Sequence, residues 1–315
     1  MRKISIYLTL AAVFGLASSV HGNVLVNDTW LDGTRTDPAS PTYAENNGIV
    51  GTDADSDGNL ESAWFRGGTG TTLTTAAGGP LKAVMGSSSG SFTTYFTPAA
   101  TPVNLANAGD KFHLTWVFTP TGVNANNTSQ AFDLAVALSP SASRMTADNS
   151  PSSAAYLGYA MYMNMGVTLG NSKPFDLRQW AVPGGANNLL SSSAAWTSEG
   201  NGATSGNHGY DSGTQYTYEM TLTRNGAGGL DVLSTMTGGT LNGSGTATVS
   251  YTDATASQGF SFDTFALRPN AATTTATEFD TSSFEVDFVP IPEPSTLSLA
   301  GVAALGLALW RRVRR

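Results

Sequence analysis

Cysteine is absent from the 315 residues of the chain, and charged side chains are scarce, at 12% of the residues. The first absence excludes disulfide scaffolds, thiol catalysis and zinc–thiolate sites. The second is about half of the usual charged share and argues against a domain of charged amphipathic helices. The chain is instead rich in Gly, with 35 residues, and has 14 Pro and 40% hydrophobic residues. This composition favours many β-strands joined by polar turns.

Positive charge is also scarce between the two ends of the chain. Six of the 15 basic residues lie at the ends, namely Arg2, Lys3, Arg311, Arg312, Arg314 and Arg315. Residues 23–294 therefore carry nine basic and 23 acidic residues, a net charge of −14. A body that acidic repels nucleic acid and anionic membranes, so no nucleic-acid partner is expected. It suits the binding of a cation or of a neutral polymer, although solubility alone would also explain it.

Residues 1–22 have the organisation of a secretory signal peptide. A basic pair near the start precedes an apolar stretch over residues 4–17, and Val20 and Gly22 occupy the −3 and −1 positions of a cleavage site before Asn23. The apolar stretch is short for a membrane span. A signal peptide is therefore favoured over the alternative of an N-terminal anchor.

The C-terminal segment combines three features in a fixed order. Residues 292–294 read Pro-Glu-Pro, an uncharged stretch extends over residues 295–310, and a cluster of arginines follows. The uncharged stretch would form a helix of about 24 Å, just short of the ~30 Å hydrocarbon core of a bilayer. We therefore expect a short transmembrane helix whose arginine end stays in the cytoplasm, with the body on the opposite side of the membrane.

This order of features resembles the PEP-CTERM sorting signal of Gram-negative bacteria, over residues 290–315. The resemblance implies recognition by an exosortase, a membrane protease-transpeptidase, and the signal would consist of Pro292, Glu293, Pro294, Arg311 and Arg312. It implies anchoring by the C-terminal helix before processing, and location at the cell surface or in the extracellular matrix after the tail is removed. Proteins with this signal accompany exopolysaccharide and biofilm production. An ordinary tail anchor is the alternative, but it does not explain the Pro-Glu-Pro.

Between the two end segments, residues 23–289 read as one β-domain. Alternating or β-rich runs recur between turn clusters, while helical periodicity is scarce. The runs predict strands over residues 23–31, 91–97, 111–119, 131–138, 156–169, 175–182, 214–224, 229–237, 246–251, 259–267 and 283–289. Such a series predicts an all-β fold, a two-sheet antiparallel sandwich flanked by the two terminal helices. The number of strands and the hairpins resemble a concanavalin-like or laminin G-like jelly roll.

One acidic segment has the ligand types of a Ca²⁺ loop. Its oxygen-bearing residues alternate along the chain, at Asp53, Asp55, Asp57, Asn59 and Glu61. Carboxylates at alternate positions near a Gly can wrap a loop around Ca²⁺. The segment is not an EF-hand, because the twelfth position, which needs a bidentate Glu, is Trp64. Ca²⁺ is thus the one cofactor that the sequence suggests, and a solvated acidic turn is the alternative.

No catalytic residue is assigned from the sequence. The G-x-S-x-G, H-E-x-x-H and Walker motifs are absent, and neither His113 nor His208 has a matched nucleophile or acid. Glu285 and Asp287 share a strand face as in the E-x-D core of jelly-roll β-glucanases, but the further Glu that those enzymes carry is missing. We therefore expect a protein that is not an enzyme. The alternative is a polysaccharide-active hydrolase or lyase on the same fold.

Aromatic side chains supply the remaining binding candidates. Trp180 and Trp196 are candidates for stacking on sugar rings, whereas most Trp and Tyr of a β-sandwich serve its core. Taken together, the sequence yields the hypothesis of an exported protein of the cell envelope or extracellular matrix. In this hypothesis the body binds extracellular polysaccharide or packs in the matrix.

Overall fold

Alternation of apolar and polar residues builds the strands of the body. The computed structural model describes residues 22–36, 53, 56–68, 70–150, 156–181, 190 and 193–291. Apart from Gly22, Pro290 and Ile291, the predicted signal peptide and sorting tail, with their helices, lie outside the described residues. Within the described ranges, no helix has the length and apolarity needed to cross a membrane.

The described residues contain seventeen strands, which are numbered here in chain order. Their bounds are β1 Asn23–Asp28, β2 Trp64–Gly67, β3 Thr72–Thr74, β4 Leu81–Val84, β5 Ser91–Tyr95, β6 Val103–Asn104, β7 Lys111–Thr121, β8 Gln130–Leu138, β9 Leu157–Asn164, β10 Phe175–Trp180, β11 Trp196–Asn201, β12 Tyr216–Arg224, β13 Leu230–Thr237, β14 Thr246–Asp253, β15 Ser261–Phe262, β16 Thr264–Pro269 and β17 Glu278–Val289. The helical content of the same residues is three single 3₁₀ turns, at Ser141–Ser143, Ser193–Ala195 and Leu241–Gly243.

The strands form two large antiparallel sheets. Sheet A has the order β14-β13-β12-β7-β17-β4-β3, with β1 also paired to β17. Sheet B has the order β11-β10-β9-β8-β16-β5-β2, and β6 and β15 form a small separate pair. The chain passes repeatedly from one sheet to the other, as from β7 to β8 and from β16 to β17, which is the connectivity of a jelly roll. The predicted two-sheet antiparallel sandwich is therefore confirmed.

The inner faces of the two sheets meet in one large aromatic core. Alternate residues of β7 point into it, so that Phe112, Leu114, Trp116 and Phe118 are all fully buried. The buried indole of Trp116 donates a hydrogen bond to Thr281 Oγ1 at 3.0 Å, which satisfies its only polar group. This core follows directly from the period-two pattern of the sequence.

The outer face of sheet A keeps the simple alternation of a half-buried sheet. In β12 and β13 every second side chain is buried, and the side chains between them are partly or fully exposed. Many of the outward residues are hydroxyl-bearing, such as Thr221, Thr235 and Thr248. This face is solvated, as expected of an antiparallel sheet with one face packed on the core.

The outer face of sheet B is instead covered by the chain itself. Nearly every residue of β8 and β9 is buried, on both faces of the sheet. Small side chains on this face, including Ala135 and Ala160, belong to a second buried cluster with Met145 and Tyr156 from the segment that follows β8. Within this cluster the hydroxyl groups of Tyr95 and Tyr156 lie 2.7 Å apart. We refer to this buried layer as the second cluster.

Candidate ligand-binding site

A row of polar side chains crosses the outer face of sheet B. The strand register pairs Arg268 of β16 with Asp133 of β8, Asp133 with Tyr162 of β9, and Tyr162 with Asp176 of β10. Residues directly opposite each other in neighbouring strands point to the same side of a sheet. These four side chains, which we call the polar row, therefore share one face although they come from four separate parts of the sequence.

A cavity of about 450 Å³ opens over one end of the polar row. Its lining includes the polar side chains of Gln130, Asp133, Tyr162, Asn171, Arg268 and Asn270. The volume lies within the ~300–1,000 Å³ range of small-molecule sites. The lining offers both hydrogen-bond donors and acceptors, which suits a polar ligand with several hydroxyl groups.

Asp133 and Tyr162 are buried without the hydrogen bonds that such groups need. Asp133 is only 4% exposed and Tyr162 only 3%, yet neither Asp133 Oδ1 nor the Tyr162 hydroxyl has a hydrogen-bond partner. Burial raises the pKa of Asp133 well above its usual range, while the charges of Arg268 and Arg178 act in the opposite direction. An unsatisfied buried polar group costs about 1–3 kcal/mol, so a ligand that completes these bonds would recover part of that cost.

The two arginines of this region are held in different ways. Arg178 forms an ion pair with Asp176 at 2.8 Å, donates to Gln130 Oε1 at 2.7 Å, and lies over the ring of Tyr162 with its guanidinium carbon 4.4 Å from the ring centroid. Arg268 donates from Nη1 to the carbonyl oxygen of Leu190 at 3.3 Å. Among the described residues, Arg268 has no carboxylate within 4 Å. Arg178 is thus a structural cation, whereas Arg268 lines the cavity without an ion pair in the described part of the chain.

Glycoside hydrolysis requires two positioned carboxyl groups. Asp133 is the only carboxyl group in the lining described above, because Asp176 is turned to Arg178. The same lining contains no Ser–His or Cys–His pair that could supply a nucleophile. The described lining therefore supplies several hydrogen-bonding groups and one carboxyl group, that of Asp133.

The predicted Ca²⁺ segment is described in part, since Asp55 lies outside the described residues. Asp53 accepts hydrogen bonds from the backbone N–H groups of Ser56 at 2.6 Å and Gly58 at 2.9 Å, and Asp57 Oδ1 accepts one from the Asn59 N–H at 2.8 Å. Asn59 and Glu61 are buried. In the described part of the chain, no three His, Asp or Glu side chains are grouped to hold a metal ion. The Ca²⁺ site therefore stays a prediction.

The electrostatic environment of this segment is nevertheless strongly acidic. Asp28, at the end of β1, is buried, and burial raises its pKa to about 7. Backbone N–H groups of Trp30 and Ser62 oppose this shift, and the carboxylates of Asp32 and Asp57 add to it. Asp32 and Asp57 are therefore close enough to Asp28 for the three carboxyl groups to repel one another when ionised. A bound cation would relieve that repulsion.

Trp180 and Trp196 lie in the second cluster. Both side chains are buried, and their rings pack edge to face with centroids 4.9 Å apart. The Trp180 carbonyl oxygen also accepts a hydrogen bond from Gln258 Nε2 at 2.8 Å. In this structure the two rings contribute packing, so a sugar-stacking role for them stays a prediction that the cavity does not require.

The strand pair Glu285 and Asp287 lies on the outer face of sheet A, beside His113. His113 Nε2 is 3.5 Å from Glu219 Oε1, and His113 Nδ1 is 4.0 Å from Asp287 Oδ2. Burial, the charge of Glu285 and a hydrogen bond to Glu285 raise the pKa of Asp287 to about 6. Two carboxyl groups joined by a hydrogen bond are closer than the ~5 Å or more that separates the catalytic pair of glycosidases. His208 is hydrogen-bonded through Nε2 to Asp211 Oδ2 at 2.7 Å.

Sequence comparison identifies the tail of the chain. The family model of the PEP-CTERM protein-sorting motif matches residues 290–315, so the resemblance stated from the sequence is confirmed there. The motif indicates an exported protein with a C-terminal tail. No curated protein sequence matches the chain.

Comparison with solved structures finds lectin domains at low identity. The potassium-bound carbohydrate recognition domain of Emp46p has 11% identity and a TM-score of 0.41, over 73% of this chain and 89% of that one. The VIP36 exoplasmic/lumenal domain with Ca²⁺ and Man2 bound has 12% identity and a TM-score of 0.43, over 78% and 86%. Peanut lectin with a 9mer peptide has 10% identity and a TM-score of 0.39, over 74% and 100%.

Proposed function

We propose that the chain is an exported, non-enzymatic protein of the cell envelope or extracellular matrix that binds polysaccharide in the cavity on sheet B. Export is supported by the PEP-CTERM motif at residues 290–315, which implies processing by an exosortase. Binding is supported by the cavity itself. The observation that carries it is the pair of buried groups, Asp133 Oδ1 and the Tyr162 hydroxyl, that lack partners at the cavity.

A sugar is the ligand class that fits this lining. Vicinal hydroxyl groups of a sugar ring can donate to Asp133 and accept from Tyr162, and the same ring can accept from the guanidinium of Arg268. Asp133, Tyr162 and Arg268, which would form these hydrogen bonds, each lie on a strand of sheet B rather than at a loop tip. Binding groups on rigid strands lose little conformational freedom when a ligand is bound.

A polysaccharide-active hydrolase or lyase is the second candidate. Its support is the raised pKa of Asp287, at about 6, since catalytic acids work best with a pKa near the operating pH. The hydrogen bond between Glu285 and Asp287 argues against it, because the pair leaves no space for a glycosidic bond between the two groups. We therefore prefer the binding function.

Binding is tested with the full-length protein in non-ionic detergent on an array of bacterial and plant polysaccharides. We expect retention on at least one glycan, and a loss of affinity of about tenfold or more in Asp133→Ala and Tyr162→Phe, since each removes a bond to a buried partner. Asp231→Ala, on the outer face of sheet A, is the matched control and should bind normally. Unchanged binding by both cavity variants would exclude the cavity, and release of sugar fragments would favour the hydrolase or lyase.

Processing is tested separately by mass spectrometry of the protein from the native envelope. We expect the mature chain to end near residues 292–295. An intact Arg315 on the exported protein would support a simple tail anchor instead.

A further inference from the structure

Arg268 is unusual among the arginines of the described residues. Four of them have a carboxylate within 4 Å, namely Arg35, Arg66, Arg144 and Arg178. Arg224 lacks one but donates to the carbonyl oxygens of Leu105 and Ala106 and lies over the ring of Phe260, at 4.2 Å. Among the described residues, Arg268 has neither a carboxylate within 4 Å nor a ring beneath it. Its single hydrogen bond goes to the Leu190 carbonyl oxygen at 3.3 Å, and it lines the cavity.

The other charged groups of the site do not compensate Arg268. The charge of Arg178 is cancelled by Asp176, at 2.8 Å on the same strand. Asp133 stands opposite Arg268 in the register but is not within ion-pair distance, and its burial favours the neutral carboxylic acid. Asp133 is therefore a poor counter-ion for Arg268, and the guanidinium of Arg268 lines the cavity without an ion pair among the described residues, in a body whose net charge is −14. A neutral sugar would leave the guanidinium of Arg268 without a counter-ion.

We infer that the cavity selects a uronate, a sugar that bears a carboxylate, and that Arg268 binds this carboxylate. The inference rests on the proposed function, because it specifies the glycan that the same cavity takes. A planar guanidinium can form two parallel hydrogen bonds with a carboxylate, which is the strongest pairing open to it. The ring hydroxyl groups of the same sugar then remain for Asp133 and Tyr162.

The neighbouring amides are arranged to support this assignment. Gln130 Nε2 donates to the Lys173 carbonyl oxygen at 2.7 Å, and its Oε1 accepts from Arg178, so this side chain is held in place. Asn270 Oδ1 accepts from Ser89 Oγ at 3.0 Å, which leaves Asn270 Nδ2 as a donor. Asn270 Nδ2 is therefore a donor that can meet an anion beside Arg268.

The test compares two probes that differ only in charge. Oligomers of galacturonate, glucuronate, mannuronate and guluronate are titrated calorimetrically into the full-length protein in non-ionic detergent at pH 6, each beside its methyl ester. The ester keeps every ring hydroxyl and removes the negative charge. We expect at least one acid oligomer to bind tenfold or more tightly than its ester, and only the acid form to weaken as salt is added.

Variants of two arginines assign the preference to one residue. Arg268→Gln should bind the acid and the ester equally, Arg268→Lys should retain part of the preference because it keeps the charge without the planar fork, and Arg224→Gln should behave as the native protein does. If Arg268→Gln does not fold, the native protein still tests the inference, because salt should weaken its binding of the acid oligomer and not of the ester. Asp133→Asn removes the one acid of the described lining that could compensate Arg268, and it should therefore retain the preference for the acid form.

The possible failures are distinguishable. If acid and ester bind the native protein equally, or if Arg268→Gln folds and keeps the preference, the uronate inference is overturned and the polysaccharide function stands. If the folded protein binds neither form of any oligomer and no glycan on the array, both proposals fail together.

Discussion

The outer faces of the two antiparallel sheets differ in what covers them: solvent covers the outer face of sheet A, and a buried layer of the chain covers much of the outer face of sheet B. On sheet A, side chains of β12 and β13 alternate between the core and solvent. On sheet B, β8 and β9 are buried on both sides, because the second cluster covers them. Periodicity in a sequence therefore reports what covers each face of a strand. An ionisable residue inside a run that is buried on both faces, such as Asp133, is costly there, so its presence points to a role beyond packing.

The largest expected change in the free energy of unfolding comes from removing an aromatic ring from the second cluster, on the outer face of sheet B. Trp180→Ala should lower the free energy of unfolding by about 3–5 kcal/mol, as for other buried aromatic residues. Leu233→Ala, on the open face where the side chain is 44% exposed, should change it by about 0.5 kcal/mol or less. Denaturant unfolding of both variants measures the contrast. Equal small losses would show that the covering layer adds no stability, and would leave Trp180 open to a binding role.

The next effect concerns pH and the carboxyl pair on sheet A. The pKa of Asp287 is raised in the folded protein to about 6, above the ~3.9 of an unfolded chain. The folded state therefore holds the proton more tightly, so the stabilisation is complete below pH ~4 and is lost as the pH rises to about 6. Because the group is partly solvated, we expect a fall in the free energy of unfolding of about 1–2 kcal/mol.

Urea unfolding between pH 3.5 and pH 7 measures this slope. Asp287→Asn should flatten it, while Asp231→Asn, exposed on the same face, should leave it in place. If the pH dependence of the free energy of unfolding persists in Asp287→Asn, it arises from other carboxyl groups, and buried Asp28 is the first to test.

The contrast between the open face of sheet A and the covered face of sheet B also explains which strands could be predicted from the sequence. Strands with an open face, such as β7 and β12, were predicted within a few residues, and they determine the fold class. Strands of two to four residues, including β2, β3 and β6, were missed because so short a segment shows no period. β11 was missed as well, since its burial pattern does not alternate.

The site was harder to predict than the fold because it depends on register. Its four polar positions lie on β8, β9, β10 and β16, and only the pairing of these strands brings them together. Nothing local in the sequence marks Asp133 except its place within an apolar run, at Ala-Phe-Asp-Leu-Ala. Aromatic residues were the better sequence signal, but Trp180 and Trp196 pack inside the protein.

A smaller effect is expected at the acidic segment that links β1 of sheet A to β2 of sheet B. If Asp53, Asp55 and Asp57 converge on Ca²⁺, a concentration about five times the dissociation constant should stabilise the protein by about 1 kcal/mol. The melting temperature should then rise by about 2–4 °C. Mg²⁺ should do less, because it requires a tighter octahedral shell.

Differential scanning calorimetry with Ca²⁺, Mg²⁺ and chelator measures this response. The double variant Asp55→Asn, Asp57→Asn should lose it and keep the fold. A melting curve that is the same with Ca²⁺ and with chelator would identify the segment as a solvated turn.

The smallest change in the free energy of unfolding is expected for the hydroxyl groups on the solvated outer face of sheet A. Thr235 Oγ1 and Thr248 Oγ1 lie 3.2 Å apart on adjacent strands. Because water can replace either partner, Thr235→Ala and Thr248→Ala should each cost about 0.5 kcal/mol or less, with a coupling close to zero in a double-mutant cycle. A coupling above about 1 kcal/mol would show that this face is more ordered than its exposure suggests.

The position of β17 has a consequence for the order in which the molecule is made. β17 is the last strand of the body, yet it lies inside sheet A, with β7 on one side and β1 and β4 on the other. Asn23 of β1 pairs with Phe288 of β17. The first strand of the body therefore cannot pair until the last strand is present. Contacts between such distant residues make folding slow, on a scale of milliseconds to seconds. During synthesis, sheet A therefore cannot be completed until residue 289 is available, immediately before the sorting motif that begins at residue 290.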